Sequence, residues 1–376
     1  MSVDAAHARG WIAAGLLIVA SFVFPLQMDV RGTPILMVEA ALLALAGLFV
    51  AIGWTRRLDG SRLWIVLVLI FVGAAGLIYM VHRPDLAGHA SWSFWLKAVG
   101  VWLAGWMATD ALSARKALTQ AGQRVYDLAV PVVFGLFLFI IWEWVVVGFG
   151  VSRVLMPSPS AILSAAVGFG PTLAADFVQT FLKSVLIGWT LGSALGFVVA
   201  IAADRVPFLR RGLLPLGNFV AALPIIGIAP IMVMWFGFDW HSKAAVVVIM
   251  TFFPMLVNTV TGLAAAGELE RDLMRSYGAS YWSTLVRLRL PAAMPFVFNA
   301  LKINSTLALI GAIVAEFFGT PIVGMGFRIS TEVGRMALDT VWAEILVAAI
   351  AGSVFYGLIA LVERAITFWH PSYRRS

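Results

Sequence analysis

Hydrophobic residues make up 61% of the 376-residue chain and charged residues 12%, so its apolar surface cannot be hidden in a water-soluble core and the chain reads as an integral membrane protein. The net charge of +7 is spread between apolar runs, which assigns it to membrane topology and not to a nucleic-acid face. The absence of cysteine excludes a disulfide framework, a cysteine-ligated metal and a cysteine nucleophile, and five scattered histidines offer no metal-ligand spacing, so no cofactor or metal is expected.

A helix crossing ~30 Å of hydrocarbon at ~1.5 Å per residue takes about 20 apolar residues. Ten runs meet that length: 11–26, 35–54, 63–81, 92–108, 129–148, 177–203, 213–236, 244–266, 295–318 and 342–362. None shows the alternating pattern of a membrane β-strand. The expected fold is therefore all-α, a polytopic bundle of about ten transmembrane helices. The first run is read as a span, since no small-residue cleavage pattern follows it.

With the N-terminus in the cytoplasm, seventeen arginines and lysines fall inside and six outside, an asymmetry that puts both termini in the cytoplasm. Tryptophans near span ends, Trp54, Trp92, Trp235 and Trp369 among them, fit interfacial belts. Residues 1–108 form a four-span module carrying no motif for chemistry. Residues 109–128, "TDALSARKALTQAGQRVYDL", read as an amphipathic helix on the inner face, and residues 129–376 form a six-span core. No internal repeat is visible, which gives an inverted-repeat carrier no support.

The core interrupts itself between 267 and 294 on the inner side, where two short helices, near 269–277 and 281–288, are expected around Gly278. Glycine permits a turn of positive φ, and Pro291 sets the point where the next span begins. Such a hairpin is a docking surface held against the membrane.

Here the chain resembles the inner-membrane permease subunits of ATP-binding-cassette importers. Their cytoplasmic signature runs Glu-Ala-Ala, three residues, Gly, nine residues, Ile, one residue, Leu-Pro. Gly278 is followed by nine residues, then Leu288, Arg289, Leu290 and Pro291, while Asp272, Leu273 and Met274 replace Glu-Ala-Ala. "LMPSPSAI" from Leu155, "ALPIIGIAPIMVMWFG" from Ala222, "FFPMLVNTVTGL" from Phe252 and "AEFFG" from Ala315 resemble the subgroup serving nitrate, taurine, sulfonates, and thiamine-pyrimidine or riboflavin-like compounds. The resemblance implies that Asp272, Gly278, Ala279, Leu288, Leu290 and Pro291 grip an ATPase subunit. It also implies two ATPase copies, a pair of permeases in the form of a homodimer, an extracytoplasmic solute-binding protein, and a location in the bacterial inner (plasma) membrane. No glycine-rich phosphate loop ending in Gly-Lys-Ser/Thr occurs, so ATP is hydrolysed on another chain and this subunit is not an enzyme.

Pro215, Pro224 and Pro230 crowd the run 213–236, where each removes a backbone donor. Leu223, Pro224 and Pro230 are the candidate lining of a bent, pathway-forming helix; simple packing kinks are the alternative. Gly188, Gly192 and Gly196 form a small-residue stripe suited to close helix packing, within one protomer or between two. Lys97, Glu143, Lys183, Lys302 and Glu316 are costly inside spans and need partners, water or an interface; for Glu143, Lys302 and Glu316, near span ends, snorkelling is the default. Glu316, within "AEFFG", is also a candidate for the outer gate or solute path. The glycine-rich loop 319–340 is long enough to meet a docked binding protein. The rival function is an ion-coupled secondary transporter using Glu143, Glu316 and Lys302. A path for nitrate or sulfonate needs fixed cations, of which the core shows few, so pyrimidine- or flavin-like solutes are favoured.

Overall fold

The computed structural model describes residues 60–369 apart from 85, 91, 118, 222, 223, 320 and 321, and every regular element among them is helical. The expected spans 11–26 and 35–54 lie outside the described residues. By internal contacts the chain divides into two compact units, one ending at Ile162 and the other beginning at Leu163.

In the first unit α1 (Gly60–Val81), α2 (Trp92–Ser113) and α3 (Gln120–Gly148) pack together. Leu63, Leu67, Ile70, Ala74, Leu77 and Val81 repeat at helical spacing along α1. They meet Phe94, Ala98 and Val101 of α2 and Phe137 and Trp144 of α3 in one apolar core. Within 109–128, residues up to Ser113 belong to α2 and residues from Gln120 onward to α3. Thr119 caps α3 by accepting the Gly122 N–H at 3.1 Å. The short helix α4 (Pro159–Gly168) follows, with Ser158 accepting the Ala161 N–H at 3.3 Å.

The second unit is built on three long helices. The first comprises α5 (Gly170–Phe177), a π-helical stretch (Val178–Val185) and α6 (Leu186–Arg205). The other two are α9 (Trp240–Ala264) and α12 (Leu290–Glu316), between which lie α10 (Glu268–Ser276) and α11 (Tyr281–Thr284). α7 (Pro207–Ala221) and α8 (Ile225–Phe236) precede α9, and α13 (Met325–Gly334) and α14 (Leu338–Ile366) complete the unit.

Gly188, Gly192 and Gly196 face α9 of the same chain. A Cβ on Gly188 would stand 2.6 Å from Val247 Cβ, and one on Gly192 would stand 2.7 Å from the Val248 carbonyl oxygen, so the stripe serves packing within the protomer. Asn304 of α12, fully buried, donates to Ser193 Oγ at 3.0 Å and to Thr251 O at 2.8 Å, joining all three helices in the middle of the bundle.

Six described helices are long and apolar enough to cross a membrane: Leu63–Val81, Gln120–Gly148, Gly170–Arg205, Trp240–Ala264, Tyr281–Glu316 and Leu338–Ile366. The run 92–108 forms the 22-residue α2, which is not among them. The run 213–236 does not form one span. It ends α7 at Ala221 and restarts at α8 with Pro224 as its N-cap, where a proline ring has no N–H to continue a preceding ladder.

Candidate functional site

The elbow between α9 and α12 starts with Gly267, and Arg271 donates back to the Ala264 carbonyl at the root of α9. Glu268 and Glu270 in the first turn of α10 and Arg275 in the last complement the helix dipole. The helix closes with Gly278 at φ +67°. Its N–H donates to Arg275 O at 2.9 Å, and the Ala279 N–H donates to Met274 O at 3.0 Å. These paired bonds are a Schellman motif, whose left-handed residue is nearly free for glycine and costs about 1–2 kcal/mol for a residue with a Cβ. A Cβ on Gly278 would meet no atom within 4 Å, so conformation alone calls for glycine there. Ser280 then caps the second arm, accepting the Ser283 N–H at 3.3 Å.

The second arm does not stop at Pro291. Tyr281–Glu316 is one 36-residue helix, and its π-helical turn Leu285–Arg289 widens the backbone just ahead of the proline ring. Leu285, 1% exposed, packs with Leu263 and Ala293. Arg289 bonds Asp204 with a two-pronged contact, Nη1 to Oδ2 and Nη2 to Oδ1, each 2.7 Å, and its Nε donates to Leu263 O at 3.0 Å. The Tyr281 hydroxyl donates to Asp204 Oδ2 at 3.0 Å, and the Arg205 guanidinium lies 4.7 Å from the Tyr281 ring centre. Asp204 ends α6, Leu263 ends α9 and Arg289 roots α12, so one half-buried guanidinium fastens three membrane helices to the elbow.

The expected coupling residues divide between two environments. Asp272 and Gly278 are exposed, Asp272 pairing with Arg275 at 3.2 Å, whereas Ala279, Leu288, Leu290 and Pro291 are half-buried. No residue of α10 is buried. Leu269, Leu273 and Tyr277 recur every four residues as one apolar stripe, 81%, 56% and 81% exposed, with Trp282 and Val286 exposed on the second arm. Sequence reasoning overlooked Asp204, Tyr281, Leu285 and Arg289 as parts of this site. The available signals were an acid standing alone beside Arg205, Arg210 and Arg211, and an arginine set between Leu288 and Leu290.

Of the candidate pathway residues, Leu223 lies outside the described residues. Pro224 and Pro230 are exposed, Pro224 as the N-cap of α8. α8 buries Ala229 and Met232 against Val246 and Ala315, and buries Val233 as well. Its opposite side carries Ile226, Pro230 and Met234, all exposed and spaced by four.

Glu316, 1% exposed, does not snorkel. It accepts the Thr180 hydroxyl at 2.7 Å and the Gly326 N–H at 2.7 Å, while Thr180 accepts the Met325 N–H at 2.8 Å. Asp176 accepts the Gly324 N–H at 2.6 Å and Arg328 Nε at 2.9 Å. Lys243 donates to the carbonyls of Phe238 at 2.6 Å and Gly319. These buried charges pin the loop before α13 to the end of the bundle opposite the elbow. Lys302 likewise pairs with Glu363 at 2.7 Å, and Glu143 accepts the Ser160 N–H at 2.8 Å with His82 Nε2 at 2.9 Å. Glu143, Lys302 and Glu316, the residues an ion-coupled mechanism would use, are each engaged in structural pairs.

Several apolar helices long enough to cross a membrane, with an exposed elbow rooted in them, make up a multi-pass membrane protein. Residues 192–368 match the family described as binding-protein-dependent transport system inner membrane component. The chain is 30% identical over 247 residues to the formylaminopyrimidine transport permease protein ThiX of Halalkalibacterium halodurans, covering 66% of this chain and 98% of that one. It is 27% identical over 252 residues to the riboflavin transport system permease protein RibX of Chloroflexus aurantiacus, with 65% and 91% covered. Against the putative aliphatic sulfonates transport permease protein SsuC of Bacillus subtilis it is 25% identical over 270 residues, with 70% and 95% covered. The chain belongs to this family. It is the permease subunit of an ATP-driven, binding-protein-dependent importer, a translocation component that works with an ATPase and a solute-binding protein.

Proposed function

We propose that two copies of this permease, as a homodimer, bind two ATPase subunits through the elbow 267–294 and carry solute by alternating access. Both termini and the elbow face the cytoplasm, by the distribution of positive charge. The observation that supports this reading most is the apolar stripe of Leu269, Leu273 and Tyr277 on a helix with no buried residue: in water it calls for a partner, and its roots are fastened to three membrane helices through Asp204 and Arg289. ATPase closure moves the elbow, and the joined helices rock with it. The break at Pro224 and the exposed edge of α8 through Pro230 line the path, and Glu316 holds the outer gate loop in register. The solute is a small organic compound or anion of the kind named for the relatives: a formylaminopyrimidine, riboflavin or an aliphatic sulfonate.

The test is co-purification of the permease with its ATPase from membranes. Leu273→Asp and Gly278→Asp are expected to insert normally and lose the ATPase. Retention of the ATPase by both variants at wild-type stoichiometry contradicts the assignment.

A further inference from the structure

Lys183 stands in the apolar helix Gly170–Arg205, where a cation is costly unless it meets protein dipoles or water. The π-helical stretch Val178–Val185 gives this helix two polar sides, and such stretches are concentrated at functional sites. On one side Asp176 and Thr180, both fully buried, hold the loop before α13. On the other, Lys183 is exposed beside Gln179 on a cleft of about 510 Å³, completed by Asp239, Val323 and the open Ala174 and Val178. That volume lies within the range of small-molecule sites, about 300–1,000 Å³.

The polar groups of the cleft form a chain. Lys183 Nζ donates to Gln179 Oε1 at 3.2 Å, and Gln179 Nε2 donates to Asp239 Oδ1 at 3.1 Å. Asp239 also accepts the Trp240 N–H at 2.7 Å, and that bond holds its carboxyl below the usual range, so the anion is fixed near neutral pH. A cation, an amide and an anion thus stand in a row with no net charge. An inorganic anion would gain from Lys183 and be repelled by Asp239. A solute with a donor next to an acceptor matches both ends.

Resting on the importer reading above, we propose that this cleft is the outer mouth of the solute path and that Lys183, Gln179 and Asp239 receive a zwitterion or a polar heterocycle in preference to an inorganic anion. Because the chain has no cysteine, Val178→Cys, or Ala174→Cys should the first fail to assemble, places a single thiol on the cleft wall while leaving Lys183, Gln179 and Asp239 in place. Each is labelled in reconstituted complex with membrane-impermeant 2-sulfonatoethyl methanethiosulfonate from the receptor side, with and without trapping by ATP and vanadate. Labelling is expected in the resting complex, slowed about tenfold or more by taurine or 4-aminopyrimidine and left unchanged by nitrate. Absence of labelling at both positions overturns the proposal, as does slowing by nitrate alone or by none of the three compounds. Labelling that is intact but unaffected by nucleotide trapping counts instead against alternating access, so the two readings fail separately.

Discussion

The Asp204–Arg289 contact is where the account is most exposed to a quantitative test. Asp204→Asn preserves size but replaces one acceptor oxygen with an amide that points donors at a guanidinium. One 2.7 Å charge-assisted bond becomes a donor–donor clash, and the Tyr281 hydroxyl competes for the remaining oxygen. A hydrogen bond to a charged group contributes about 1.5–3 kcal/mol, and leaving one buried partner uncompensated costs about 3–5 kcal/mol. Asp204 and Arg289 side chains are 5% and 16% exposed, so solvent offsets little of this. Taking ~3 kcal/mol as the loss, the rigid linkage is weakened by a factor on the order of 100 in a two-state equilibrium. The assay is solute moved per ATP hydrolysed by reconstituted complex, with ATPase co-purification as the check on assembly. Asp204→Asn is expected to keep its ATPase and its basal hydrolysis while solute moved per ATP falls at least several-fold. The exchange Asp204→Arg with Arg289→Asp is expected to recover part of that ratio. Wild-type stoichiometry in Asp204→Asn, or a double exchange no better than either single change, refutes the claim that this pair carries motion.

Further predictions follow from the same geometry. Gly278→Ala strains the left-handed turn by about 1–2 kcal/mol without a clash, so its affinity for the ATPase is expected to drop about tenfold, with Gly278→Asn milder because asparagine tolerates that conformation. Gly192→Leu forces α6 away from the Val248 carbonyl and is expected to lower the thermal midpoint in detergent, as over-packing costs about 1–3 kcal/mol. Lys302→Met strands the buried Glu363 and is expected to destabilise the fold by about 3–5 kcal/mol, while adding Glu363→Leu restores most of the loss, read by thermal shift. Glu316→Gln replaces an acceptor of the Gly326 N–H or Thr180 hydroxyl with a donor and is expected to speed protease cleavage in the loop before α13 and to reduce uptake; unchanged cleavage and uptake remove the gate-brace role.

The sequence made the elbow legible because its parts are local: a glycine between two short helical patterns and a Leu-Pro at a fixed distance. It also announced a distortion at Pro224, since proline acts on its own neighbours, but as a bend within one span 213–236 and not as the end of one helix and the start of another. The linkages that give the elbow its purchase were not legible. Asp204 and Arg289 are 85 residues apart, and nothing in either local pattern announces the other. Pro291 stands in the first turn of α12, where its missing N–H costs nothing, and the π-helical turn Leu285–Arg289 joins that helix to the second arm, a join that no local pattern announces. Glu316 and Lys302 were read as reaching for an interface because their partners, Thr180, the Gly326 N–H and Glu363, come from distant turns of the chain.

The central claim is that the ATPase grips this permease at the elbow. Its most direct test is site-specific crosslinking of the assembled complex, made simple by a chain without native cysteine. Single cysteines at Tyr277 and Ala279 are expected to join the ATPase through a short thiol crosslinker, with yields that change on nucleotide binding. A cysteine at Ile322, exposed at the opposite end of the bundle, is expected to give no such product. An ATPase that co-purifies with the permease yet crosslinks to neither elbow position contradicts the account.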